Sequence, residues 1–83
     1  MISKNITKDD VLRSMADIDK FGVPPRRQSW KYDVTNGGRR YPPPYVICVA
    51  NRYANGVELE PYECTANEAI PLLRSLGFAI VKK

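Results

Sequence analysis

The segment Asn36-Gly37-Gly38 restricts the fold of this chain most, because it separates two short stretches that have strand character. Glycine and asparagine tolerate the positive φ angles that a tight hairpin turn requires. Residues 30–34 alternate large apolar and charged side chains, which is the period-two pattern of a half-buried strand. The apolar face of that strand would consist of Trp30, Tyr32 and Val34. The chain is therefore predicted to return through Arg39-Arg40-Tyr41 as a second, short antiparallel strand.

Two helices are predicted on either side of this hairpin. The first spans about residues 8–20, where Thr7 supplies an N-cap ahead of acidic residues, and it ends at Gly22. The second is opened by Pro42-Pro43-Pro44, because proline is tolerated in the first turn of a helix, and it is closed by Asn55-Gly56. The second helix is the more apolar of the two and is expected to lie in the centre of the domain.

A third helix and a final strand are predicted near the C-terminus. Thr65-Ala-Asn-Glu68 has the spacing of a capping box, and Gly77 ends the apolar stripe that follows it. Pro71 would remove a hydrogen bond from a helix capped at Thr65, so this helix is predicted to begin effectively near Asn67. Residues 78–81 are apolar and are expected to form a short strand.

The predicted elements define a fold class. Residues 57–63 form an ordered loop in this prediction, with Leu59 and Tyr62 turned inward. The element order is α-β-β-α-α-β, which predicts an α+β domain with a small, antiparallel-containing, three-stranded sheet. Three helices would cover mainly one face of that sheet. A chain of 83 residues is long enough for a single domain over 1–83 and too short for two.

Cysteine content and hydropathy point to a cellular location. The chain has two cysteines, fewer than small secreted domains normally use for a disulfide framework, so two reduced thiols are predicted. The N-terminus lacks a charged-then-apolar signal segment, and no run of about 18 apolar residues occurs. We therefore expect a cytoplasmic protein without a membrane anchor.

The residue types favour binding over catalysis. Histidine is absent, which removes the most common general base and the most common neutral metal ligand. Cys48 and Cys64 lack the paired spacing of a zinc site, and Gly37-Gly38 is not followed by the Lys-Ser or Lys-Thr of a phosphate-binding loop. The sequence thus predicts a protein that is not an enzyme and that uses no cofactor and no catalytic metal.

Positive charge is concentrated in the middle of the chain. The net charge is +4, from 13 basic and 9 acidic residues. Between residues 26 and 52, however, six basic residues accompany the single acid Asp33. These basic residues are Arg26, Arg27, Lys31, Arg39, Arg40 and Arg52. Such an excess favours a polyanionic partner, because guanidinium groups pair with phosphates through two hydrogen bonds.

Aromatic residues accompany this charge, and two interpretations of them are open. Tyr41 and Trp30 would stack on nucleic-acid bases if they were exposed beside the basic hairpin. Alternatively, Trp30 and Tyr32 belong to the core under the helices, while the arginines only solvate a turn. The predicted nucleic-acid-binding residues are Arg26, Arg27, Lys31, Arg39, Arg40, Tyr41 and Arg52.

Several short motifs carry a family resemblance. They are Asp19-Lys20-Phe21-Gly22, Gly38-Arg39-Arg40-Tyr41-Pro42-Pro43, Ala50-Asn51-Arg52-Tyr53-Ala54-Asn55-Gly56 and Leu73-Arg74-Ser75-Leu76-Gly77-Phe78. The chain resembles the small N-terminal module found ahead of HNH-type and related Mcr-like, modification-dependent restriction endonucleases. In that module a G-R-x-Y-P-P-K turn precedes a helix and an L-G-F element ends the domain. The resemblance covers most of the chain.

Two departures from that pattern affect what the resemblance implies. Pro44 occupies the position where such modules carry lysine, so a phosphate contact from that lysine is lost. Cys64-Thr65 replaces the glycine pair that precedes the last helix. No nuclease domain follows in this sequence. The resemblance therefore implies an accessory or target-engaging domain acting alone, encoded by a phage or another mobile element.

Two functional hypotheses follow from these observations. The first is a non-catalytic DNA-binding module in which the basic hairpin contacts phosphates. The alternative is a protein-interaction module, such as a phage-encoded inhibitor or subunit that docks on a host nuclease or defence complex. A DNA mimic is disfavoured because it would be acidic.

Overall fold

A computed structural model of the chain describes residue 2 and residues 5–28 and 31–83. The helices are α1 (Lys8–Phe21), α2 (Pro43–Asn55) and α3 (Ala66–Ser75), and the strands are β1 (Tyr32–Asn36), β2 (Arg39–Tyr41) and β3 (Ala79–Lys82). A short 3₁₀ turn, Pro61–Glu63, lies between α2 and α3. The element order α-β-β-α-α-β and the α+β class agree with the prediction.

The sheet has the order β2-β1-β3, and both strand pairs are antiparallel. Gly37 and Gly38 connect β1 to β2 with φ angles of 59° and 79°, as a two-residue hairpin turn requires. The first strand begins at Tyr32 and continues to Asn36, so it is shifted towards the turn relative to the predicted residues 30–34. Trp30, which was predicted on the buried face of this strand, lies outside the described residues.

Helix α2 is the centre of the domain, as its apolar sequence predicts. Six consecutive residues of this helix are buried: Val46, Ile47, Cys48, Val49, Ala50 and Asn51. Helix α1 packs against α2, and the buried Ser14 hydroxyl donates a hydrogen bond to the Val46 carbonyl at 3.0 Å. On the sheet, Val34 and Tyr41 are buried and Ile80 packs against the same core. Val34 is the register partner of both Tyr41 and Ile80, so the three side chains lie on one face of the sheet, the face that meets the helices.

Helix α3 corrects the prediction about Pro71. The helix begins at Ala66 and continues through Pro71, although the Thr65 side chain at the N-cap makes no capping hydrogen bond. Pro71 cannot donate a hydrogen bond to the Asn67 carbonyl, and both residues are exposed at the surface. Gly77 has a φ of 94° and follows the last turn, as predicted.

Two further expectations are wrong. The Tyr62 side chain is 80% exposed instead of turned inward, while Leu59 does pack against the core. Cys48 and Cys64 are not free thiols but form a disulfide, with both residues fully buried. Packing of the 3₁₀ turn against α2 brings their Cα atoms to 6.2 Å, within the range that a disulfide requires.

None of the helices in the described part of the chain is long and apolar enough to cross a membrane.

Candidate nucleic-acid interface

Tyr41 lies in the core and corrects the prediction of a stacking role. Its side chain is only 4% exposed, and its hydroxyl donates a hydrogen bond to Asp19 on α1 at 2.8 Å. Burial, followed by the hydrogen bond to the Asp19 carboxylate, raises the pKa of the Tyr41 phenol. The ring therefore holds the hairpin against α1 and is not open to a nucleic-acid base.

The two arginines of the hairpin lie on opposite faces of the sheet. Arg39 shares the face of Tyr41 and pairs with Asp19 at 3.1 Å. Arg40 lies on the other face, where its nearest carboxylate oxygen belongs to the buried Asp33 at 3.9 Å. Each of the two guanidinium groups therefore has an acidic neighbour.

Arg52 also lies beside acids, away from the hairpin turn. Its guanidinium group is 3.2 Å from Asp17 and 4.0 Å from Glu58. The Tyr53 hydroxyl donates to the same Asp17 carboxylate, and this hydrogen bond is the main reason that the pKa of Tyr53 is raised. Arg52 therefore belongs to a polar network between α2 and α1.

Arg27 is half-buried and packs against α2. Its guanidinium group lies over the Tyr45 ring at 4.8 Å from the centroid. One terminal nitrogen, Nη2, is buried and has no hydrogen-bond partner in the described part of the chain. This stacking attaches the loop after α1 to α2, so Arg27 has a structural role there.

Arg26 stands in a strained backbone position in the same loop. The Arg27 amide donates to the Pro24 carbonyl at 3.1 Å, which closes a turn with Pro25 and Arg26 at its centre. Arg26 has a φ of 71°, a value that favours glycine or asparagine at this turn position. Its side chain is exposed, and strain of this kind tends to be retained at functional sites.

The pairing of β1 with β3 brings lysines together at the start of β1. Lys82 is the register partner of Tyr32, so its side chain lies on the same sheet face as the Tyr32 ring. The Lys83 amide donates to the Lys31 carbonyl at 2.7 Å. We call Lys31, Lys82 and Lys83 the lysine end. Within the described ranges, neither Lys31 nor Lys82 has an ion pair, in contrast to the arginines of the hairpin and α2.

A cleft opens beside the lysine end, between the start of β1 and the first turns of α2 and α3. Its volume is about 430 Å³. The lining residues are Gln28, Lys31, Tyr32, Pro43, Pro44, Ala66, Asn67 and Ile70. Tyr32, which one interpretation of the sequence placed in the core, is 39% exposed here. We refer to this feature as the cleft.

The structure thus divides the predicted site residues into three sets, the first being Arg27 and Tyr41, which pack against neighbouring elements. Arg39, Arg40 and Arg52 have acidic neighbours, whereas Arg26 and Lys31 are exposed and make no ion pair with any described residue. The sequence-based prediction of the site did not include Lys82 and Lys83. The predicted strand at residues 78–81 could have indicated them, because they follow it directly. The site prediction also missed the cleft, whose walls come from four separate segments of the chain.

The comparison with known protein families identifies a family for this chain. The family model described as the ScoMcrA-like N-terminal head domain matches residues 4–82. No curated protein and no solved structure matches the chain.

Proposed function

The chain belongs to the ScoMcrA-like N-terminal head domain family, and on this basis we propose that it is a DNA-binding module related to restriction enzymes. We further propose that it binds without catalysis. The match to a head domain and the absence of histidine support this second part. The observation that carries the proposal is the lysine end, where the β1–β3 register joins basic residues from distant parts of the sequence.

The lysine end offers phosphates a better binding surface than the hairpin does. Lys31 and Lys82 are exposed, and neither has an ion pair among the described residues. A phosphate that approaches them neutralises charge and releases counterions without first displacing a carboxylate. At Arg39, by contrast, a phosphate must compete with Asp19 at 3.1 Å. We infer that the lysine end makes the main backbone contacts, with Arg26 from the adjoining loop.

Two charge-matched double variants test this arrangement. Lys31→Ala with Lys82→Ala and Arg39→Ala with Arg40→Ala each remove two positive charges from exposed side chains. Fluorescence anisotropy with short labelled duplex DNA over a salt series measures both affinity and salt dependence. The lysine variant should bind more weakly at every sequence, and the slope of log K against log salt should fall by about 2. The arginine variant should show a smaller loss of affinity and a smaller change in this slope.

The comparison controls for net charge, since both variants carry the same formal charge. Equal losses in the two variants would show that only the total charge matters and that the hairpin is as good a contact as the lysine end. A larger loss in the arginine variant would restore the hairpin as the main contact. If the wild-type protein fails to bind at low salt, the DNA-binding proposal is wrong.

An exposed aromatic residue favours a second candidate function, a protein-interaction module. Phe21 is 76% exposed and borders a smaller depression of about 170 Å³ that Asp17 and Glu58 also line. An exposed apolar ring among charges of both signs, with the Lys20 ammonium 5.3 Å from its centroid, suits a protein partner better than a phosphate backbone. Nuclease-resistant association with a stoichiometric partner that is lost in Phe21→Ser would favour this function. Recovery of nucleic acid alone would count against it.

A further inference from the structure

The cleft has the size and access of a small-ligand site. Its volume of about 430 Å³ falls within the range of about 300–1,000 Å³ that is typical of such sites. It is open to solvent, since Gln28, Lys31, Ala66 and Asn67 are all exposed, and Pro43 in its lining is fully buried. The cleft is therefore accessible to a group that enters from the side of the lysine end.

The walls of the cleft are suited to a flat ring. Pro43, Pro44 and Ile70 provide apolar, largely rigid surfaces. Tyr32 adds an aromatic ring that remains 39% exposed, although Val34, the next residue on the same strand face, is fully buried. A partly exposed tyrosine at the edge of an apolar cleft offers a stacking surface, and stacking on aromatic side chains does not depend on which base is present.

The polar groups of the cleft are mainly carboxamides. Gln28 and Asn67 line it, and neither side chain has a hydrogen-bond partner among the described residues. Each carboxamide carries both donors and an acceptor, which match the hydrogen-bonding edges of nucleobases. Among the described lining residues Lys31 alone is charged, and it is exposed, so the other lining groups are uncharged. This chemistry favours a planar group with polar edges over a metal ion, because the described lining offers carboxamides and no carboxylate.

The position of the lysine end adds a backbone contact to the same site. Lys31 lines the cleft, and Lys82 lies beside Tyr32 on one face of the sheet. A ring inside the cleft would therefore have the lysine ammonium groups near the opening, where the chain of atoms attached to the ring leaves the cleft. One nucleotide unit has this arrangement, with a neutral ring joined to charged phosphates on either side.

We propose that the cleft binds one unstacked nucleobase of the DNA that the lysine end holds by its phosphates. Tyr32 stacks on the base, and Gln28 and Asn67 bond to its edge. This inference rests on the proposed DNA-binding function and adds to it a base-binding site. The base comes either from a single strand or from a duplex out of which it rotates.

The test compares two strands that carry the same phosphates. One is a short single-stranded oligothymidylate, and the other is an all-abasic strand of equal length. The full chain should bind the base-bearing strand about 5- to 150-fold more tightly, because stacking on one aromatic side chain supplies about 1–3 kcal/mol and 1.4 kcal/mol is a factor of ten. Ala66→Trp, which places a ring in the cleft from an exposed position, should abolish this preference.

Asn67→Ala and Asn36→Ala provide a matched pair of variants. Both remove an exposed carboxamide, but Asn36 lies at the other end of β1 from Tyr32. Asn67→Ala should reduce the preference for the base-bearing strand, and Asn36→Ala should leave it unchanged. Because Asn67 is exposed, this variant decides the question even if Ala66→Trp fails to fold.

A fluorescent base identifies the source of the ligand. With 2-aminopurine in a matched duplex, a change in fluorescence on binding shows a base leaving the stack, because contact with Tyr32 and contact with neighbouring bases quench the emission to different extents. A change confined to single strands shows that the cleft accepts bases that are already unpaired. Equal affinity for the base-bearing and abasic strands overturns the base site, while salt-dependent binding of both leaves the DNA-binding function intact. Binding of neither strand nor duplex overturns both.

Discussion

Replacement of Arg26 by glycine should stabilise the domain and at the same time weaken DNA binding. Arg26 has a φ of 71°, and a non-glycine residue in this region costs about 1–2 kcal/mol. Glycine avoids that cost but loses about 0.5–1 kcal/mol more than alanine in backbone entropy on folding. The Arg26 side chain is exposed and has no partner in the described chain, so its removal breaks no contact. The expected gain is therefore about 0.5–1 kcal/mol in the free energy of unfolding.

This gain is measurable by thermal unfolding followed by circular dichroism. For a domain of this size, about 1 kcal/mol shifts Tm by roughly 4–8 °C, so Arg26→Gly should raise Tm by about 2–8 °C. The same variant should lower the slope of log K against log salt for DNA binding by about 1, because one phosphate contact is lost.

Arg26→Ala is the control, because alanine removes the guanidinium group but keeps the strain. It should bind DNA as weakly as the glycine variant while its Tm stays close to that of the wild type. A lower Tm for the glycine variant, or equal Tm values for the two variants, would refute the argument that the turn is strained at Arg26.

Three further predictions concern residues that hold the hairpin and the core. The pKa of Tyr41 is raised in the folded state, so the contribution of its protonated phenol to stability is complete below pH about 10 and is lost as pH rises through the folded pKa. In urea titrations above pH 10, the free energy of unfolding of Tyr41→Phe should therefore fall less with pH than that of the wild type. Identical pH profiles for the two proteins would contradict this. Ser14→Ala removes the buried hydrogen bond to Val46 and should lower the free energy of unfolding, measured by urea denaturation, by about 1 kcal/mol. An unchanged free energy of unfolding would argue against that hydrogen bond. Gly38→Ala places a β-carbon at a φ of 79° and should destabilise the hairpin by about 1 kcal/mol, with a fall in Tm, whereas an unaltered Tm would speak against the turn geometry.

The sequence predicted well those elements whose first and last residues are determined by the local backbone, that is, by residues adjacent in the sequence. Gly37 and Gly38 define the hairpin turn, and Gly56 ends α2 in the left-handed conformation, because the local backbone requires positive φ there. Pro71 was judged by the same local rule and misjudged. The rule counts the hydrogen bond that proline removes, but not the solvent exposure that makes the loss tolerable.

The candidate site was harder to predict because it depends on contacts between distant residues. The partner of Tyr41 is Asp19, which lies on another element, and no local pattern shows that the ring is buried. Lys82 and Lys83 are far from Lys31 in the sequence and become its neighbours only because β3 pairs with β1. The sequence predicted the strand at residues 78–81, but the proximity of these lysines to Lys31 also depends on the strand order, which the structure supplied.

The distribution of acids explains why a count of basic residues pointed to the wrong part of the hairpin. Within residues 26–52 Asp33 is the single acid, but Asp17 and Asp19 of α1 reach across to Arg52 and Arg39 in the folded domain. Ion pairs between exposed groups contribute little to stability, typically about 0–1 kcal/mol, yet each of them lowers the positive potential that a polyanion meets. The positive potential is therefore left to basic residues without such neighbours. Two of these residues are at the lysine end beside the cleft, which is why phosphate contact and base contact are expected at one surface.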